Sequence, residues 1–166
     1  MAIVDTDLLI KYTGGASNSD PNASLGGTVS SNGPTDNALH NLFDEVSGSE
    51  SLPGDTEYRC VALKNNHGTL TAKNTHVYIS TDTSSYFDIA LDGNGLNAAP
   101  ESVANESTAP SGESFTHPTT YAGGLNMGDI PAGQYYPHWI RRTIGAAAAA
   151  VTPYTVTMKY DCDTDA

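Results

Sequence analysis

Basic residues and cysteines are scarce in this sequence. Seven lysines and arginines stand against nineteen aspartates and glutamates in 166 residues, a formal net charge of −12. Such a charge repels a phosphate backbone or an anionic lipid surface, and Arg141-Arg142 is the one adjacent basic pair. Nucleic acid and membrane are therefore not expected as partners, whereas a basic protein surface is. Two cysteines, Cys60 and Cys162, are too few for a disulfide framework and read as free thiols rather than a bridge. No apolar run approaches the ~20 residues of a membrane helix, and Ala146 to Ala150 is far too short. The opening Met1-Ala2-Ile3-Val4-Asp5 lacks the basic and apolar regions of a secretion signal, so synthesis in a cytosol is expected.

Patterns that carry chemistry are just as scarce. The five histidines, His40, His67, His76, His117 and His138, show no spacing that sets two ligands on one face. There is no Gly-x-Ser-x-Gly elbow, and Cys60 falls in mid-strand. Gly14-Gly15, Gly26-Gly27 and Gly123-Gly124 have no following helix and lysine to cradle a phosphate, and read as turns. Asp161-Cys162-Asp163-Thr164-Asp165 resembles the first half of a calcium loop but lacks its glycine and closing glutamate. Glu57 and Asp88 have no pattern that would make either a hydrolytic carboxylate. No catalytic residue, cofactor or metal is expected.

What is present is alternation. Tyr154, Val156, Met158 and Tyr160 share one face of an extended run and Thr155, Thr157 and Lys159 the other, the period of a half-buried strand. The same signal predicts strands near Ile3 to Tyr12, Leu25 to Val29, Tyr58 to Lys64, Thr69 to Ala72, His76 to Ser80, Tyr86 to Leu91 and Tyr135 to Ile144. Around Arg59, Val61 and Leu63 both parities are fairly apolar, which marks a central strand. Leu39, Leu42, Phe43 and Val46 recur at helical spacing in Asn37 to Val46, a stretch that fits either a short helix or an irregular plug at one end of a sandwich. Two polar stretches, 14–34 and 96–118, are of a length that is usually functional or disordered, and if ordered they need a partner to satisfy and pack them. The pattern predicts one all-β domain over 1–166, an antiparallel two-sheet β-sandwich with long loops.

Nine tyrosines are many for so polar a chain. Tyr135, Tyr136 and Trp139 read either as a sugar-stacking platform or as core and contact aromatics. Arg141 and Arg142 beside them read either as forks for a neighbouring subunit's carboxylates or as solvated charges that guard a sheet edge. These five are the interface candidates.

Five stretches carry a resemblance. The Asn41-Leu-Phe-Asp-Glu-Val-Ser segment, the run Gly54-Asp-Thr-Glu-Tyr-Arg-Cys and the strand Thr75-His-Val-Tyr-Ile-Ser resemble structural proteins of tailed bacteriophages. Leu125-Asn-Met-Gly-Asp-Ile-Pro-Ala-Gly-Gln134, followed by Trp139-Ile-Arg-Arg142, looks like the same family's turn and strand. The likeness runs from Asn41 to Arg142 with an unmatched loop inside it. It implies a virion component with an immunoglobulin-like or jelly-roll-like sandwich and transfers no catalytic residue; the role it is most like is a capsid decoration or cement protein on the outer shell. The major capsid protein would be its partner, and a homo-oligomer, by analogy a trimer, its assembly. A carbohydrate-binding or adhesion module of a head or tail appendage is the alternative.

Overall fold

Among the described residues seven strands in two antiparallel sheets make up the fold, and most of the strand-forming residues are those whose side chains alternate. The structure, a computed structural model, describes residues 2–147 and 155–164. One sheet has the order β1-β2-β6-β4, from β1 (Leu8–Tyr12), β2 (Asp55–Asn65), β6 (Tyr135–Ile144) and β4 (Phe87–Leu91). The other has the order β5-β3-β7, from β5 (Leu125–Ile130), β3 (Ala72–Asp82) and β7 (Val156–Thr164). The expected two-sheet β-sandwich is therefore the observed architecture, with a shared core of Val61, Leu63, Val77, Ile79, Ile89, Ile130 and Ile140 between the layers.

β2 and β6 form the centre of the larger sheet. Their register sets Cys60 opposite Trp139, Arg59 opposite Ile140 and Glu57 opposite Arg142. Strand parity then sends Val61, Leu63, His138 and Ile140 inward, and Tyr58, Cys60 and Trp139 to the sheet's other face. Both faces are buried, as their double apolar parity predicted. The second face is buried by a smaller cluster, in which Val103 and Phe115 from the long 96–118 stretch cover Tyr58, Cys60 and Trp139.

The two long polar stretches thus pack on their own chain instead of awaiting a partner. β1 ends at Tyr12 opposite Val61, which would leave the β2 backbone open before that point. The loops close it: Tyr58 N donates to Glu106 O at 2.8 Å and Cys60 N to Ser24 O at 2.8 Å. They also bond each other, Gly27 N to Pro100 O at 3.1 Å and Val103 N to Leu25 O at 3.0 Å. Gly26 sits where they cross; its φ is +91° and a Cβ there would collide with the Glu101 carbonyl oxygen, so only glycine fits. Ile89 exchanges backbone bonds of 2.9 Å with Thr116, which closes the β4 edge in the same way.

Several boundaries differ from expectation. Leu25 to Val29 is loop, because its backbone pairs with the other loop and not with a strand. The strand expected at Thr69 to Ala72 is loop up to Thr71; Ala72 already belongs with His76 to Ser80 to the single β3, irregular in its pairing near Asn74, whose φ of 49° asparagine tolerates better than most residues. The strand β5 had been read only as the approach to a turn; the turn itself stands, with Gln134 N donating to Pro131 O at 3.0 Å and Gly133 at φ +80°. Asn37 to Val46 forms no helix, and Leu42 and Phe43 plug the sandwich from an irregular segment. The one α-helix among the described residues, α1 (Gly48–Ser51), is a single turn fixed by a Ser47/Glu50 capping box. Of the face shared by Tyr154, Val156, Met158 and Tyr160, the last three pack on the core, while Tyr154 lies outside the described residues.

Candidate functional site

The five interface candidates do not form one surface, because consecutive residues of a strand point to opposite faces. Trp139 is fully buried against Cys60 and Tyr58, and its Nε1 donates to Asp92 Oδ2 at 2.8 Å. Tyr136 packs half-buried on the core between the sheets, on the other side of the strand. Tyr135 is half-buried and its carbonyl accepts from Asn97 N at 2.8 Å. A sugar platform of Tyr135, Tyr136 and Trp139 is thereby replaced by core and loop contacts. Arg141 pairs with Asp88 at 2.6 Å and lies over the Phe115 ring at 4.9 Å, which pins the covering loop. Arg142 is buried and binds Glu57 through Nε and Nη2, and the Asp44 carbonyl through Nη1 at 2.7 Å. Neither arginine is an open fork for another subunit.

A different site arises from the unequal width of the sheets. Among the described residues the smaller sheet has one strand fewer, and it ends at β7, which pairs there with β3 alone. Facing the ground where a fourth strand would lie, residues 36–46 run as an irregular segment. The Tyr12 hydroxyl donates to Asn41 O at 2.6 Å, and the Phe43 ring sits beneath both Arg59 and Arg142, at 5.2 Å and 4.9 Å. Between this segment and β7 lies a groove of about 730 Å³. Its walls are Ile10, Leu42, Phe43, Phe87, Ile144 and Met158, with Asp36, Asp44 and Glu45 among the polar lining. Thr157 borders it beside Val156 and Met158 although its side chain points away from the core, so the groove follows the open edge of β7.

Beneath the groove is a knot of charge. Glu57 meets Arg142 directly and Arg59 at 3.8 Å, and Arg59 binds Glu106 at 2.7 Å and the Asn22 side chain at 3.0 Å. Burial pushes the Glu57 carboxyl up to about 7 against the pull of the two arginines. Carboxylate oxygens of Asp44, Glu57 and Glu106 come within 4.8 Å of one another, a spacing that could hold a metal ion. Here guanidinium groups already pair with those oxygens, so a cation would have to displace two arginines. The knot is better suited to tying β2, β6 and residues 36–46 together than to chemistry. Its signal in the sequence was parity alone: Glu57, Arg59 and Arg142 all fall on inward positions.

The remaining reactive groups have structural work. His67 Nδ1 accepts the amides of Thr69 and Leu70, 3.1 and 2.9 Å, and so closes its turn. His138 is buried with its Nε2 2.8 Å from the Tyr160 hydroxyl; burial holds its pKa down to about 4 and raises that of Tyr160. Asp161 and Asp163 belong to β7, so alternation turns them along a strand instead of around an ion; Asp161 accepts the Tyr78 hydroxyl at 2.6 Å. Cys60 and Cys162 are free thiols, and burial raises both pKa values. No helix among the described residues is long and apolar enough to cross a membrane. Comparison with known proteins found no matching family model, no similar curated protein and no similar solved structure.

Proposed function

We propose that this chain is a non-enzymatic structural protein of a tailed-phage virion that docks on the outer capsid surface and decorates or stabilises the head. The observation that carries the proposal is where the positive charge goes. Each of the three arginines is committed to a carboxylate of the same chain, Arg59 to Glu106, Arg141 to Asp88 and Arg142 to Glu57. Four lysines remain to offset the rest of the nineteen acidic residues, which leaves an acidic exterior complementary to a basic protein lattice. The stretches that resemble phage proteins support the same reading, since they supply β2, β3 and β6, the frame of both sheets. Repeated on a lattice, modest contacts of this kind sum by multivalency.

Heads assembled without the chain are expected to bind the purified protein at a fixed ratio per capsid subunit and to gain heat resistance. The binding should weaken as salt rises, as for any steering charge. Heads that take up none would overturn the proposal.

A second reading keeps the adhesion module but moves its aromatics. On the outward face of the smaller sheet, the His76 and Tyr121 rings meet at a tilt of 59° with centroids 4.5 Å apart, beside Tyr78 and Asp161. These rings are partly exposed, whereas Trp139 is not. Glycan binding that disappears in Tyr121→Ala, together with no uptake by heads, would favour that reading.

A further inference from the structure

We propose that the groove beside β7 receives an extended, basic peptide segment of a partner protein, which adds to the three-stranded sheet as a fourth strand. This specifies how the docking described above is made and rests on that reading for the partner's identity. The geometry supplies three requirements of strand addition. A sheet edge must be open, and among the described residues β7 pairs on one side only, whereas β4 and the β2 backbone beyond β1 are bonded by loop backbone. There must be room beside it, and the groove of about 730 Å³ lies within the range that holds a ligand of several residues. Its floor must accept alternate side chains, and Phe43, Phe87, Ile144 and Met158 offer an apolar one.

Charge fixes the kind of partner. Asp36, Asp44 and Glu45 line the groove beside His40, and the one arginine of its lining, Arg142, is held by Glu57 and by the carbonyl and carboxylate of Asp44. An incoming strand thus meets the carboxylates of Asp36 and Glu45, which pair with no cation among the described residues, above an apolar floor. Apolar residues at every second position, with lysine or arginine between or flanking them, answer both features. Leu39, 74% exposed at the groove, gives the strand an apolar contact that the isolated chain leaves in water.

A library of random nine-residue peptides, selected on the purified full chain, tests the proposal directly. Enriched peptides should alternate apolar and basic residues, and on binding they should slow amide exchange along β7 and perturb residues 36–46. The doubly substituted Asp36→Lys, Glu45→Lys protein changes only exposed positions and should fold normally. It should bind the selected basic peptides at least about tenfold more weakly, and acidic analogues better. No enrichment, enrichment of acidic peptides, or protection that maps away from β7 would each overturn the inference. So would self-association through the same edge. Two copies of β7 paired about Tyr160 would set Lys159 against Asp161 twice, so a dimer lost in Lys159→Asp and regained in the Lys159→Asp, Asp161→Lys swap would show a second copy as the occupant. These peptide results stand whether or not heads bind the protein, so the two proposals can fail separately.

Discussion

Trp139→Ala is expected to lower stability by about 3–5 kcal/mol, a shift readily seen in urea denaturation. The side chain is fully buried on the outer face of β6, where it packs with Cys60, Tyr58, Val103 and Phe115. Its loss opens a cavity that rigid backbone on both sides cannot collapse to fill. It also removes the indole donor from Asp92 Oδ2, a carboxylate 1% exposed that is left with the amides of Glu101 and Asn94. Trp139→Phe separates the two effects: most ring volume returns, and the remaining deficit of about 1–3 kcal/mol reports the missing hydrogen bond. Because the 96–118 stretch is anchored through this cluster, proteolytic cleavage there should become faster in Trp139→Ala than in other variants of equal stability. A midpoint unchanged from the native chain would mean that the loops do not form a second core.

That second core explains which parts of the fold could be read from sequence. Strict alternation located β6 to the residue and β2 within a few, because buried strands with inward Val61, Leu63 and Ile140 leave little freedom of phase. The two-sheet layout followed from it. The loops were misjudged because Ser, Asn and Gly have no period. What orders 14–34 and 96–118 is backbone bonding to β2 and to each other, together with the crossing at Gly26. Phe115 and Val103 are isolated apolar residues in polar surroundings, and nothing local says that they cover Trp139. β5 was hidden for a related reason: Leu125-Asn-Met-Gly-Asp-Ile carries only three apolar side chains, with Gly128 at φ +70° among them, and reads as a turn until its partner β3 is known.

The site was less legible than the fold. Tyr135, Tyr136, Trp139, Arg141 and Arg142 attract notice as a cluster in sequence, but adjacency along a strand is separation across a sheet. Parity alone divides Tyr136 and Arg142 from Tyr135, Trp139 and Arg141. The groove depends on features with no sequence signature: a sheet one strand narrower than its partner, and a connector at 36–46 that covers the deficit incompletely. The helical spacing of Leu39, Leu42, Phe43 and Val46 gave a partial hint. Those residues are apolar because two of them plug the core, while Leu39 stays in solvent at the groove.

Arg142→Ala should destabilise the chain by about 3–5 kcal/mol near pH 8, and by clearly less near pH 5.5. Truncation strands Glu57, 2% exposed, beside Asp44 and Glu106 with only Arg59 nearby at 3.8 Å. In the native chain burial already lifts the Glu57 pKa from 4.5 to about 7. A raised carboxyl pKa favours the fold fully below about 4.5, and that contribution is lost as pH rises through about 7. Without Arg142 the folded value moves higher still, so the stranded carboxyl protonates and the deficit shrinks on acidification. His138 runs the other way: its pKa falls from 6.5 to about 4, so its contribution is present above about 6.5 and lost as pH falls through about 4. It is common to both proteins and cancels when variant and native chain are compared at each pH. The double substitution Glu57→Leu, Arg142→Met removes the ion pair without leaving a lone charge, and should recover most of the loss and its pH dependence. A deficit in Arg142→Ala that is equal at both pH values would show that Glu57 is not the group left without its partner.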